Sequence, residues 1–183
     1  RIADVAAYLR GVTERLEDAH GTEVDTIDPF NEPNTNYWGT QLGADGNPTG
    51  GRQEGAHMSP ALQAKVVPAL AAALEGSSTD AVISAMDETN PGTFATNWNA
   101  YPQAVRDQVS QLNVHTYGTG QRTTVRDIAK GEDKPLWMSE VGGNWSSTGQ
   151  DFETMESGLG SAQHIVDDLR ELDPRAWVFW QPV

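Results

Sequence analysis

The sequence predicts an α/β fold built on a parallel β-sheet, and three observations lead to this prediction. Amphipathic helical patterns alternate with short apolar runs along all 183 residues. Most of the apolar runs are nearly continuous, as is typical of strands whose two faces are both covered. No Gly-rich phosphate loop follows any of these runs, so a dinucleotide-binding fold or a P-loop enzyme has no local support.

The first element is a helix over residues 1–19. Apolar residues recur at helical spacing, and Gly21 follows as a stop: Ile2, Val5, Ala6, Leu9, Val12 and Leu16. The sequence opens at Arg1 with no initiator methionine and no signal segment. Because the sequence begins directly with a helical pattern, as an internal segment of a fold would, we expect the chain to be a piece of a longer protein.

The remaining elements follow in alternation. Apolar runs predict five strands, at residues 23–30, 81–86, 112–117, 135–141 and 176–180. Helical patterns separate them, at residues 60–74, 100–110, 123–130 and 158–172. Ser59 is the predicted cap of the helix over 60–74, with Pro60 at its first position. Residues 34–57, 93–97 and 142–148 are predicted loops.

The composition excludes several classes of function. Twelve Lys and Arg oppose 26 Asp and Glu, giving a net charge of −14 and a pI near 4.4. Such an acidic chain is a poor partner for nucleic acid or for an anionic membrane surface. The absence of cysteine excludes a disulfide scaffold, a thiolate metal site and a cysteine nucleophile. The apolar runs are too short to cross a membrane.

Polar residues collect where the predicted strands end. They are Asn31 and Glu32, Asp87 and Glu88, His115 and Tyr117, Glu140, and Trp180 with Gln181. In a barrel of parallel strands this is the face that carries active sites. A complete (β/α)8 TIM barrel needs about 250 residues. We therefore expect an incomplete barrel that covers strands four to eight, with residues 1–183 as its C-terminal part and strands one to three upstream.

Two glutamates stand out by their position. Most of the 26 acidic residues of the chain are expected to be solvated, but Glu32 and Glu140 each close an apolar strand. Burial at such a position raises the pKa of a carboxyl group unless a donor compensates. Two carboxyl groups that face each other across a barrel mouth can divide the roles of acid and nucleophile, at a separation of about 5–5.5 Å for a retaining mechanism.

The residues around these glutamates carry a resemblance to a known family. The segments Asp28-Pro29-Phe30-Asn31-Glu32-Pro33 and Trp137-Met138-Ser139-Glu140-Val141-Gly142 resemble the two catalytic signatures of family 30 glycoside hydrolases, in the large clan of barrel glycosidases. Asn34, Tyr37 and Trp38, followed by Gln53-Glu54-Gly55, resemble the endo-β-1,6-galactanase branch. The likeness covers essentially the whole chain.

The resemblance implies a secreted, retaining hydrolase of a β-linked polysaccharide, an endo-β-1,6-galactanase that acts on arabinogalactan-type side chains. It makes Glu32 the general acid/base and Glu140 the nucleophile. Asn31 would donate to the sugar hydroxyl beside the reacting carbon, and Tyr117 would hold Glu140 by a hydrogen bond. The family carries a β-sandwich beside its barrel, and no such segment is expected within these residues.

Aromatic and histidine side chains complete the expected site. Trp38, Trp145 and Trp180, with Tyr37, are candidate platforms for the flat C–H faces of sugars. Trp98, Trp137 and Trp177 are expected in the core. His115 is either a buried supporting residue or a sugar contact at the rim, and we count it among the substrate-binding residues. His164 is expected at the surface, and Asp87 and Glu88 in the pocket wall.

Other readings remain open at this point. Another family 30 activity (β-1,6-glucanase, xylanase or glucosylceramidase-like) would use the same glutamates, whereas a non-catalytic carbohydrate-binding barrel is expected to have lost one. An aldolase would need a lysine at a strand end, and a zinc hydrolase would need two or three histidines there. We predict no metal or cofactor, a polysaccharide or oligosaccharide as partner, and a monomer that binds neither nucleic acid nor membrane.

Overall fold

The computed structural model describes residues 1–35, 37–38, 41–50, 55–143, 145–147 and 153–181. Its helices are α1 (Ile2–His20), α2 (Pro60–Leu74), α3 (Pro91–Ala100), α4 (Gln103–Arg106), α5 (Arg122–Gly131) and α6 (Glu156–Glu171). Its strands are β1 (Thr26–Ile27), β2 (Gln41–Leu42), β3 (Pro48–Thr49), β4 (Val82–Glu88), β5 (Gln111–His115), β6 (Leu136–Val141) and β7 (Ala176–Phe179). No helix within these residues is both long and apolar enough to span a bilayer.

The main sheet is a half-barrel of five strands in the order β1-β4-β5-β6-β7. Every neighbouring pair in it is parallel, and strands that follow one another in the alternation lie side by side. Helices connect the strands, as right-handed crossovers require. The predicted class, a partial (β/α)8 barrel of five parallel strands, is confirmed.

Three of the strand pairs change register near their C-terminal ends. The shifts lie between Met86 and Glu88, between Val114 and His115, and between Met138 and Val141. An irregularity of this kind bends a strand and turns a side chain in a new direction. All three therefore occur where the polar residues of the site leave the sheet.

The core lies between the sheet and its helices. Its largest fully buried apolar side chains are Trp98, Tyr101, Phe94, Leu70, Met86, Leu112, Met138 and Leu172. Trp98 is therefore a core residue, as predicted, and Trp177 packs partly buried against the core. The prediction was wrong for Trp137, which is 38% exposed because the side chains of β6 alternate between the two faces of the strand.

Several local predictions differ from the structure. Residues 93–97 are not a loop but part of α3, because the Asn90 side chain accepts a hydrogen bond from the Thr93 N–H and Pro91 occupies the first turn. The helix predicted over 100–110 shortens to α4, and residues 34–57 contain the antiparallel pair β2–β3. Ser59 precedes α2, but its side chain makes no capping bond.

Candidate active site

A cleft of about 950 Å³ opens at the C-terminal ends of the strands. Asn31 and Glu32 line it after β1, Tyr117 after β5, and Glu140 from the end of β6. Further lining residues are Tyr37, Met58, Thr89 and Trp180. The structure thus brings residues that are far apart in sequence to one concave surface.

Glu32 is held rigidly at the cleft floor. It is buried and has a φ of +44°, a left-handed conformation that costs about 1–3 kcal/mol for a residue other than glycine. Its N–H donates to the carbonyl of Asp87 (2.8 Å), and its own carbonyl accepts from Trp38 Nε1 and Thr35 Oγ1 (both 2.9 Å). These bonds hold the strained backbone and set the direction of the carboxyl group.

Glu140 faces Glu32 across the cleft. One carboxylate oxygen of Glu32, one of Glu140 and one ring nitrogen of His115 all lie within 4.8 Å of one another. The carboxyl groups of retaining glycosidases are about 5–5.5 Å apart, and those of inverting enzymes about 6.5–9.5 Å. With oxygens no more than 4.8 Å apart, the two glutamates fit the shorter of these spacings better than the longer one.

Tyr117 supports Glu140 in the way the resemblance implied. Its Oη donates to Glu140 Oε1 at 2.9 Å. Burial first, and then the hydrogen bond to Glu140, raise the pKa of Tyr117 above its ordinary value. The phenol therefore keeps its proton and acts as a donor to the carboxylate.

His115 lies among the carboxylates rather than at the rim. It is 1% exposed, its Nδ1 is 3.2 Å from Glu32 Oε1, and its Nε2 is 3.6 Å from Asp87 Oδ1 and 3.9 Å from Glu140 Oε2. Burial lowers the pKa of His115, but bonds to Asp87 and Glu32 and the charges of Asp87 and Glu140 outweigh it and raise the pKa to about 9. The prediction of a sugar contact is corrected: His115 is a buried supporting cation.

The charge of His115 also bears on metal binding. Its imidazole and the two glutamates are close enough to surround an ion. Binding of an ion there would have to displace the proton that the neighbouring carboxylates favour on His115. With His115 protonated, the three side chains form an ion-paired cluster in which the histidine cation offsets the charges of the carboxylates.

One of the three predicted tryptophan platforms, Trp38, is corrected, and the other two stay predictions. Trp38 is 5% exposed and lies with its ring against Gly55, so no face of it is free for a sugar. Trp145 is partly buried and packs its ring on His164 and Phe179. Trp180 is 56% exposed and lines the cleft, in the position required of a platform.

Two polar residues are more buried than predicted. Glu88 is fully buried rather than in the pocket wall, and it accepts bonds from the Asn34 N–H (3.1 Å) and Asn97 Nδ2 (2.5 Å). Burial raises the pKa of Glu88 to about 7. His164 does not face solvent but contacts Thr116 and Asp168, and burial lowers its pKa.

Sequence reasoning missed a row of polar side chains that leads to the site. Gln111 Nε2 donates to Asn113 Oδ1 (2.9 Å), and Asn113 Nδ2 donates to Asp28 Oδ2 (3.0 Å). Gln111, Asn113 and His115 alternate along β5, so they point to the same face of the strand. The sequence signal for this row was the polar residue at every second position of the strand, because a strand that faces an apolar interior would carry apolar residues at these positions.

The sequence is similar to two curated glycosidases. No protein-family model matches the sequence. The chain is 33% identical over 210 residues to an exo-β-1,6-galactobiohydrolase of Bifidobacterium longum subsp. longum, an alignment that covers 97% of this chain and 14% of that protein. It is 27% identical over 180 residues to an endo-β-1,6-galactanase of Hypocrea rufa, which covers 97% of this chain and 34% of that protein.

The fold has relatives among solved structures. A family 30 subfamily 8 xylanase of Clostridium acetobutylicum superposes with a TM-score of 0.69 at 19% identity, over 100% of this chain and 40% of the xylanase. This likeness concerns the fold alone. Of the residues that indicated the galactanase branch, Gln53 and Glu54 lie outside the described residues. These comparisons agree with the resemblance: the sequence is similar to two hydrolases named for β-1,6-galactan, and the fold is similar to that of a family 30 xylanase.

Proposed function

We propose that this chain forms the catalytic half of a retaining glycoside hydrolase that cleaves β-1,6-linked galactan. The observation that carries the proposal is the pairing of Glu32 and Glu140, whose carboxylate oxygens approach within 4.8 Å at one cleft. The two curated relatives, named for β-1,6-galactan substrates, support this choice of sugar and linkage. The chain spans 14% and 34% of their lengths.

The proposed reaction proceeds in two displacements. Glu32 protonates the departing glycosidic oxygen while Glu140 attacks the anomeric carbon and forms a covalent glycosyl-enzyme. Glu32 then removes a proton from water, which releases the sugar with its configuration retained. Tyr117 holds Glu140 by a hydrogen bond, and Asn31, which lines the cleft, donates in this mechanism to the sugar hydroxyl next to the reacting carbon.

Substrate contacts outside the reacting centre follow from the cleft wall. Trp180 and Tyr37 offer exposed aromatic rings in the same cleft as the two glutamates. Rigid aromatic faces suit the C–H face of a galactosyl unit. We propose endo action on arabinogalactan-type side chains. Since such a polymeric substrate lies outside the cell, we propose that the protein is secreted.

Substitution of each glutamate in the intact protein tests the proposal. Glu140→Gln should abolish turnover of every substrate because no covalent intermediate can form. Glu32→Gln should still glycosylate the enzyme from a substrate with a good leaving group, and azide should then rescue turnover and yield a β-glycosyl azide. Formation of an α-glycosyl azide by the Glu140 variant would exchange the two roles, and full activity of both variants would refute the proposal.

The substrate requires a separate measurement. β-1,6-Galactan, β-1,6-glucan and xylan should be compared side by side through release of reducing sugar. We expect hydrolysis of the galactan, with a mixture of product lengths that indicates endo action. A single disaccharide product would indicate exo action, and a preference for xylan or glucan would refute the choice of substrate.

A further inference from the structure

A second pair of carboxyl groups, Asp28 and Asp87, lies next to the two glutamates and has no role in the chemistry described so far. The charge of Asp87 and its contact with Asp28 both raise the pKa of Asp28. Asp28 follows β1 and Asp87 is near the end of β4, so the contact joins two adjacent strands of the half-barrel. Two ionised carboxylates in such contact repel each other, and one of the pair is therefore expected to hold a proton.

The surroundings favour Asp28 as the protonated member. Its Oδ1 accepts from the Phe30 N–H and its Oδ2 from Asn113 Nδ2, both at 3.0 Å, and no cation is among these partners. Burial first, and then the charge of Asp87, raise the pKa of Asp28 well above its ordinary value. A protonated Asp28 has one O–H to donate, and the carboxyl group of Asp87 beside it can accept that bond.

Asp87 receives its other contacts from the strands that carry the catalytic pair. Ser139 Oγ donates to Asp87 Oδ1, and Ser139 directly precedes Glu140 in β6. His115 Nε2 lies 3.6 Å from the same oxygen, and the other ring nitrogen of His115 bonds to Glu32. Asp87 is thus linked to each glutamate through one intermediate residue.

His115 is the group through which a charge on Asp87 would act. The titratable groups that face it are Glu32 after β1, Asp87 and Glu88 from β4, Glu140 from β6, and Tyr117 beyond the end of its own strand. A protonated imidazole donates from both nitrogens, which suits an acceptor at Glu32 on one side and at Asp87 on the other. A neutral imidazole would turn a lone pair toward one of these acceptors.

We propose that Asp87 is a positioning residue of the catalytic pair, which keeps His115 protonated and oriented, and that Asp28 supports it by holding the proton the two aspartates share. This inference rests on the proposed function of Glu32 and Glu140. Asp87 does not touch the reacting atoms. It acts by fixing the charge and the hydrogen-bond direction of the histidine that contacts the acid/base.

Three isosteric variants of the intact protein test the inference: Asp87→Asn, Asp28→Asn and, as a matched control, Asp127→Asn. Asn adopts the left-handed backbone of Asp87 (φ +44°) more readily than most residues. Asp127 is exposed on α5 and paired with Arg126, away from the cluster. The first readout is the pH profile of kcat/KM, and the second is an NMR titration of His115, assigned from the signal that His115→Gln removes.

The three variants should behave differently. Loss of the neighbouring charge in Asp87→Asn should lower the pKa of His115 by about 1–3 units and move the basic limb of the rate profile in the same direction. Asp28→Asn replaces a neutral acid by a neutral amide. The pKa of His115 and the pH of the basic limb should therefore be unchanged, even if kcat/KM falls. Asp127→Asn should match the unaltered protein in both readouts.

Two results would overturn the inference. Unchanged His115 titration and rate profile in Asp87→Asn would remove the role of Asp87, and a shift in Asp28→Asn as large as that in Asp87→Asn would show that Asp28 is ionised. If Asp87→Asn does not fold, Asp87→Gly removes the same charge without backbone strain. Activity retained by Glu140→Gln refutes the proposed function, whereas an inactive Glu140→Gln with an unchanged Asp87→Asn refutes this inference alone.

Discussion

Asp168 provides a severe test of what holds the half-barrel together. It lies in α6, is fully buried, and accepts hydrogen bonds from Arg122 Nε (2.6 Å), Thr116 Oγ1 (2.8 Å) and Trp177 Nε1 (2.9 Å). His164 Nε2 is 3.2 Å away. One carboxylate therefore ties the end of β5, the start of α5, helix α6 and strand β7 together.

The size of the effect of Asp168→Ala follows from these contacts. Removing one partner of a buried ion pair costs about 3–5 kcal/mol, and the partly exposed Glu171, 3.5 Å from Arg122 Nη1, offsets the remaining Arg122 charge only in part. The Thr116 and Trp177 donors would lose their acceptor as well, at about 1–3 kcal/mol each. Since all of these groups share one cluster, the losses do not simply add, and we expect about 4–6 kcal/mol in total.

The free energy of unfolding should be measured by urea denaturation of the intact protein, followed by circular dichroism and tryptophan fluorescence. Asp167→Ala is the matched control: the neighbouring aspartate pairs at the surface with Arg170 at 2.9 Å, and its loss should cost less than about 1 kcal/mol. If the two variants lie within about 1 kcal/mol of each other, the buried cluster does not stabilise the fold as argued.

Three further predictions concern the cleft and its surroundings. Tyr117→Phe removes the donor to Glu140 but keeps the ring, so kcat should fall about 10- to 100-fold without loss of folding; an unchanged kcat would contradict the role of this bond. Burial raises the pKa of Glu88 to about 7, above the value of 4.5 for the unfolded chain. The contribution of Glu88 to the free energy of unfolding is therefore fully present below pH 4.5 and is lost as the pH rises through 7. Glu88→Gln should therefore be more stable than the unaltered protein at pH 8, by up to about 2 kcal/mol, but not at pH 4.5, and equal unfolding free energies at pH 8 would contradict this reasoning. Trp180→Ala should raise KM for the polysaccharide about 2- to 10-fold, because an exposed ring that lines the cleft is lost, and leave KM for a short aryl glycoside nearly unchanged; equal effects on both would argue against a role in binding the longer chain.

The alternation of elements was predictable because it depends on local patterns. Helix α2 matches the predicted residues 60–74, and the five main strands each fall within or next to a predicted apolar run. The placement of Glu32 and Glu140 at strand ends followed from the same patterns. The helix α3 was missed although its start signals, Asn90 and Pro91, are local, because residues 93–97 lack a clear apolar period.

The side-chain environments around the site were decided by tertiary structure. Trp38 and Trp145 occur in loops near the cleft, and their sequence neighbours do not reveal that one ring lies against Gly55 and the other against Phe179. His164 was assigned to the surface because its helix is amphipathic, yet Thr116, from a segment 48 residues away, reaches it. Exposure of an aromatic or polar side chain depends on what packs over it, and that is a property of distant segments.

The sequence by itself determined the order of strands and helices, the face that collects polar residues, and the two glutamates, since hydrophobic period and strand ends are local properties. Only the tertiary structure decided the contact between Asp28 and Asp87, the burial of Glu88, and the charge of His115 among three carboxylates. The physical reason is that the protonation state of a buried group depends on desolvation and on charges within a few ångströms. In this half-barrel those charges come from strands β4, β5 and β6 and from the segment after β1, which only the folded sheet brings together.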